Sequence, residues 1–460
     1  MKHVQCGKQS GALVRWSLLT ALLSGCVSLA ADWPPTLDGS NPVTRSQDGL
    51  AIERYTHGPR DVWGYPVGKT NEWACPPAKE SGVPGQNHSS FYLVAPKNPR
   101  PGAPLCVVLH SANRTAYDYV AFQHLSRTTV ATTVPDDFYA LYLSSLNGEW
   151  WGAKERRAHP QVLAPAEKRV LDTIEWVVTQ HDIDRNRIYL CGVSMGGCGT
   201  LAIGMAHGDV FAAARATVPA GTEYAAACMG GFPAAPAAGA SPAEHDAWTK
   251  RISSMNLPDP PIVVDFSAQN DNWSKTQPAL LEAAQAGRLP LVLGWGPFNH
   301  PTFTSPIAKY PPCAVALAFP WLEVRKNEAY PVFTHASSDQ HSPWLGGPAQ
   351  FDEAGQMNAY FRWKNQSDTP AGCTLQLWLA QPAISNAPPA MPSASTADVT
   401  LRRLQHFKAL PGATYAWQLM RSGAQVGSGK ITPDAANLLT IPQLTVTTTP
   451  AELSVTAEKP

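Results

Sequence analysis

DIDRNRIYLCGVSMGGCGTLAIGMAHG, residues 182–208, is the stretch that decides the fold. DIDRN reads as a turn, RIYLCG (187–192) as a short β-rich apolar run, and TLAIGMAHG (200–208) as a helix with Gly208 near its end. Between strand and helix stands Gly192-Val193-Ser194-Met195-Gly196. The G-x-S-x-G spacing acquires meaning only in such a strand-turn-helix context, where a strained turn lifts the serine Oγ above the sheet. Glycines at its flanks let strand and helix backbones approach where a Cβ would intrude. The helix start adds positive dipole where an oxyanion would form.

Upstream, APAEKRVLDTIEWVVTQH (164–181) sets Val170, Leu171, Ile174, Val177 and Val178 on one helical face. SSFYLVAP (89–96), PLCVVLHS (104–111) and FYALYLSS (138–145) read as strands, the second as a run buried on both faces. Downstream, PPIVVDF (260–266), QPALLEAAQAG (277–287) and LPLVLGWG (289–296) read as strand, helix and strand. The alternation predicts an α/β fold with a mostly parallel central sheet. Residues 31–88 are rich in Pro, Gly and Trp with little periodicity, so an irregular lead-in is expected there. From 326 onward, short strand-like runs divided by Pro, Gly, Asn and Ser predict a small all-β C-terminal domain of sandwich type, with ISNAPPAMPSAS (384–395) as a loop within it.

A nucleophilic serine needs a base, and the base an orienting carboxylate. LGWGPFNHP places His300 just past the end of the last strand, where α/β sites lie. VVDFSAQNDNW offers Asp271 in the loop after its strand, better placed to reach over the sheet than Asp265 within it. For the oxyanion, one N–H is expected from Met195 and a second from the loop after strand 105–109, either Ser111 or Ala112. His110 is taken as a substrate-side residue or a packing histidine under that loop. The loop 145–160 carries Trp150 and Trp151, and Trp273 and Trp295 flank the acid and the base; these four are candidates for an aromatic wall around the substrate. Residues 221–248 are expected to form a cap.

With these residues in place, 89–325 resembles the α/β-hydrolase superfamily. Within it, the segment is similar to secreted esterases related to polyhydroxybutyrate depolymerases, to feruloyl and acetylxylan esterases, and to the prolyl-oligopeptidase catalytic domain. The likeness rests on D-x-D-R-N-R-I-Y-L-C-G-V-S-M-G-G, on the strand ending at Leu109-His110, and on Asp271 and His300. Tannase-type feruloyl esterases carry cysteines beside the acid and the histidine; here Asn270, Asn272, Asn299 and Pro301 stand there. The resemblance implies two-step acyl transfer by Ser194, His300 and Asp271 without metal or organic cofactor. It implies an ester substrate, with acyl groups on polysaccharide as one such class. A prolyl-oligopeptidase-type peptidase, a polyester depolymerase and a non-catalytic surface-binding protein on the same fold stand as alternatives.

The 460 residues leave room for two domains. Balanced charge, 35 basic against 35 acidic residues with no basic stripe, argues against nucleic-acid binding. Residues 1–30 read as an export signal: Lys2, Lys8 and Arg15 precede a short apolar run, 16–25. Cleavage is expected either after Ala30 or at a lipobox-like Leu23-Ser24-Gly25-Cys26, with Cys26 then carrying a lipid anchor. The expected destination is thus the periplasm, the outer membrane as a lipoprotein, or the exterior. Seven cysteines follow Cys26, none in a C-x-x-C pair; Cys106 and Cys191 sit in apolar runs and are expected as buried thiols.

Overall fold

The computed structural model describes residues 35–37, 44–56, 90–126, 133–145, 150–153, 156, 163–220, 236, 240–255, 257–274, 276–300, 309–340, 354–382 and 391–458. The expected signal segment with Cys26, the cysteines Cys75 and Cys228, and most of the expected cap lie outside the described residues.

Among the described residues, an eleven-stranded mixed sheet forms the body. Its parallel centre consists of β5 (Ala103–Leu109), β6 (Tyr139–Leu143), β7 (Ile183–Val193), β8 (Ala213–Thr217), β9 (Ile262–Ala268) and β10 (Leu291–Gly296), in spatial order β6-β5-β7-β8-β9-β10. Every residue of β5, β9 and β10 is buried, as their unbroken apolar runs predict for strands covered on both faces. On one face Leu105, Val107 and Leu109 pack with Val170, Ile174 and Val177 of the helix Pro165–His181. The alternate residues Cys106 and Val108 turn to the other face. The chain leaves β5 for β6 on one side and later for β7 on the other. That reversal opens a crevice at the carboxyl ends of β5 and β7.

Five local expectations change; one is DIDRN, read as a turn, where β7 already begins at Ile183. The lead-in is not irregular throughout: β1 (Thr36–Leu37), β2 (Thr44–Arg45) and β3 (Ala51–Thr56) extend the sheet, β3 pairing with β4 (Ser90–Val94). Tyr55 of β3 stacks on Phe91 at 5.3 Å, a contact invisible in a segment carrying Glu53 and Arg54. β8, AARAT, gave no strand signal because alanine is a poor strand former and an arginine sits at its centre. The helix after Ser194 starts at once, at Met195, and runs to Ala206. Within the expected cap, the helix Pro242–Ser253 instead buries Trp248 and Ile252 in the core it shares with the helix Gln277–Gly287.

Beyond 326, β11 (Tyr330–Thr334), β15 (Ala394–Arg402) and β18 (Leu439–Thr447) make one sheet. β13 (Phe361–Thr369), β14 (Gly372–Leu379), β16 (Tyr415–Arg421), β17 (Ala424–Ile431) and β19 (Ala451–Ala457) make another. Phe333 of one stacks on Phe361 of the other at 4.1 Å. β12 (Gly355–Met357) leaves this region and pairs with β10, so the two parts share a sheet rather than meeting at a clean boundary. Arg403 donates to Ala212 O and Pro260 O, just before β8 and β9 begin. The sandwich therefore meets the amino ends of β8 and β9, the opposite end from the crevice.

Candidate active site

Ser194 stands between β7 and its helix with φ 59° and ψ −117°, a backbone region costly for a side chain. The turn is held by main-chain bonds on three sides. Ser194 N–H donates to Thr217 O at 3.0 Å, while Ser194 O accepts from Cys198 and Ala220 at 2.9 and 3.0 Å. Gly196 packs so closely on β5 that a Cβ would overlap Leu109 O, and one on Gly199 would lie 2.6 Å from Trp151 Cβ. These contacts give the glycines of the motif their physical purpose.

His300 follows β10 and Asp271 follows β9, and the structure brings both to Ser194. Ser194 Oγ lies 2.7 Å from His300 Nε2, and His300 Nδ1 is hydrogen-bonded to Asp271 Oδ2. The carboxylate can only accept, so Nδ1 carries the proton and Nε2 is free to accept from the serine. Asp271 is the more buried partner, its side chain 6% exposed against 28% for His300. Its other oxygen accepts from Trp273 N–H at 3.0 Å. Ser274, which sequence reasoning missed, donates its hydroxyl to Ala268 O at 2.5 Å and also lies 2.9 Å from Asp271 O, pinning the turn. Asp265 is sealed away: it accepts from Gln277 Nε2 at 2.5 Å, and burial raises its carboxyl to about 7.

Of the two candidate oxyanion donors after β5, Ser111 N–H is spent on Tyr119 Oη at 3.2 Å. Ala112 N–H has no partner among the described residues. Met195 N–H opens a helix and has no intrahelical acceptor. The structure thus separates Ala112 and Met195 as available donors from Ser111, which is not.

Three candidates for the substrate wall are corrected. His110 is 1% exposed; its Nε2 accepts from Ser145 N–H at 2.9 Å and its Nδ1–H donates to Ser111 O at 2.8 Å. Burial holds it neutral, down at about 4, so it is a packing histidine that shapes the loop. Trp151 is fully buried, donates to His110 O at 3.2 Å and wedges beneath the Ser194 helix. Trp295 is 1% exposed and faces the helix side with Leu293 and Leu291, two and four residues back, as strand alternation requires. Trp150 and Trp273 behave differently. Their ring centroids lie 5.2 Å apart, and Trp273 is 48% exposed beside Asp271.

Residues 168–225 match the model of the prolyl oligopeptidase family. Acetylxylan esterase A of Emericella nidulans is 26% identical over 140 residues, 30% of this chain and 45% of that protein. The chain therefore spans less than half the length of this curated relative. Among solved structures, an acetyl xylan esterase from Aspergillus awamori shares 19% identity over 28% of this chain and 45% of its own, with TM-score 0.23. A fluorophosphonate-binding serine hydrolase of Staphylococcus aureus shares 13% over 52% and 93%, with TM-score 0.32. With its parallel sheet order, the strand–turn–helix at Ser194 and the match over 168–225, the chain has an α/β-hydrolase fold.

Proposed function

We propose that this chain is an exported serine esterase that cleaves carboxylic esters through an acyl-enzyme, acting on acyl groups carried by polysaccharide. The observation that supports it most is the continuous hydrogen-bonded line Ser194–His300–Asp271 at the carboxyl ends of the strands. His300 Nε2 takes the serine proton as Oγ attacks the ester carbonyl. The oxyanion is held by Met195 and Ala112 N–H. Asp271 fixes the Nδ1–H tautomer and stabilises the imidazolium. His300 then protonates the departing alkoxide, and water repeats the sequence on the acyl-serine. An oxyanion donor contributes about 10²–10³-fold and the general base about 10²–10⁴-fold.

The exposed Trp273 beside Trp150 supports a ring-bearing substrate, since aromatic faces pack on flat apolar surfaces. The acetylxylan esterase likeness points the same way. The N-terminal residues 1–30, with Cys26 as a lipid site, support export. A second reading, a peptidase, draws on the family match over 168–225. The deciding experiment is a panel of p-nitrophenyl acetate and butyrate, acetylated xylan, methyl ferulate, a polyester film and a prolyl amide, run on wild type and Ser194→Ala. Preferred cleavage of acetylated xylan, lost in Ser194→Ala, is the expected result. Preference for the amide would install the peptidase, and preference for the film would make the chain a polyester depolymerase.

A further inference from the structure

The sandwich carries a second cleft, far along the chain from the Ser194 machinery, and its chemistry is specific. It has a volume of about 400 Å³. One wall is the segment from Phe319 to Tyr330; the other is the edge strand β13 with its neighbour β14. Trp363 and Trp378 both line it, and Trp378 stands directly opposite Arg362 in the β13–β14 register.

Arg362 is the unusual element. It is 6% exposed, yet no carboxylate pairs with it among the described residues. Its Nη1 donates to Ala359 O and Phe361 O at 2.7 and 2.8 Å, its Nη2 has no acceptor among the described residues, and the guanidinium lies 4.9 Å from the centre of the Phe319 ring. Burial lowers it to about 10, so it is still a cation at neutral pH. A buried unpaired charge is costly, and a planar guanidinium is matched best by a carboxylate. Lys364 adds a second cation, while Asn365 and, on the facing wall, Glu323 and Glu328 offer partners for hydroxyls.

We propose that this cleft binds an acidic sugar: a uronate unit whose ring packs on Trp378 and whose carboxylate pairs with Arg362. The site is independent of the esterase chemistry and would tether the enzyme to a uronate-bearing polysaccharide. Titration calorimetry on full-length Ser194→Ala, with trigalacturonate and its methyl-esterified form as probes, tests it without turnover. The expected result is binding of trigalacturonate, with at least about tenfold weaker binding of the ester, which keeps the rings but masks the charge. Trp378→Ala should lose about tenfold for trigalacturonate with an unchanged melting temperature, and Arg362→Lys should lose selectivity between the two probes. Equal affinity for the two probes, no binding of either, or Trp378→Ala binding like its parent would overturn the proposal. Because binding is read in a chain lacking the serine, failure here and failure of the esterase assignment are separate results.

Discussion

The two sides of the candidate active site are built by different means. On the nucleophile side, backbone meets backbone: Gly196 lies on Leu109 O, Ser194 is forced to positive φ, and fully buried Trp151 and His110 fill the space beneath. On the acid side, a turn is tied by single hydrogen bonds, from Ser274 Oγ, from Trp273 N–H and between Gln277 and Asp265. Close packing tolerates almost no added volume, because interiors are as dense as organic crystals. A tied turn loses one bond at a time, each worth about 0.5–1.5 kcal/mol. The serine is thus fixed by the fold, while the acid is fixed by local chemistry.

Substitution should expose this asymmetry. The largest effect is expected for Gly196→Ala, whose single methyl has no space: activity should vanish together with folding stability, read by a thermal melt. Asp271→Asn should keep the melt and lower kcat by about 10⁴-fold, since the wrong imidazole tautomer is then favoured. Ser274→Ala should be mildest, lowering kcat by about tenfold with KM little changed, because the loosened turn misplaces Asp271 without removing it. A collapse of Ser274→Ala as severe as that of Gly196→Ala would erase the distinction between the two sides.

The buried titratable groups on the two sides pull stability in opposite directions. His110, on the nucleophile side, is held down at about 4 when folded, below its ordinary value of about 6.5. Between those values the unfolded chain binds the extra proton, so stability is lost as pH falls. Asp265, on the acid side, is raised to about 7, above its ordinary value of about 4. There the folded chain holds the extra proton, and stability is lost as pH rises from about 4 to about 7. Asp265→Asn keeps the shape and removes the charge. Its melting temperature, measured against wild type, should improve by several degrees on going from pH 5 to pH 8, at about 2–4 °C per kcal/mol. An identical difference at both pH values would mean that Asp265 is not the group responsible.

What could be read from the chain follows the same division. The G-x-S-x-G turn, the buried strand runs and the loop positions of Asp271 and His300 are local signals, and chain order on a parallel sheet carries them to one end. Burial of Trp151 and His110 is tertiary: it depends on Gly199 and Ser145, distant residues without a pattern linking them. Trp295 was legible in principle. In LVLGWG, Gly294 and Gly296 alternate with Leu293 and Trp295, which assigns Trp295 to the leucine face. Nothing in the sequence marks Tyr119 as the acceptor for Ser111 N–H, so the choice between Ser111 and Ala112 needed coordinates.

The most direct test of the Ser194–His300–Asp271 assignment is intact-protein mass spectrometry after brief exposure to a fluorophosphonate. Such a reagent phosphonylates a serine only when a neighbouring base activates it. One adduct is expected, mapped to Ser194, absent in Ser194→Ala and slowed by orders of magnitude in His300→Ala. An unlabelled wild type, or an adduct that persists in Ser194→Ala, would contradict it.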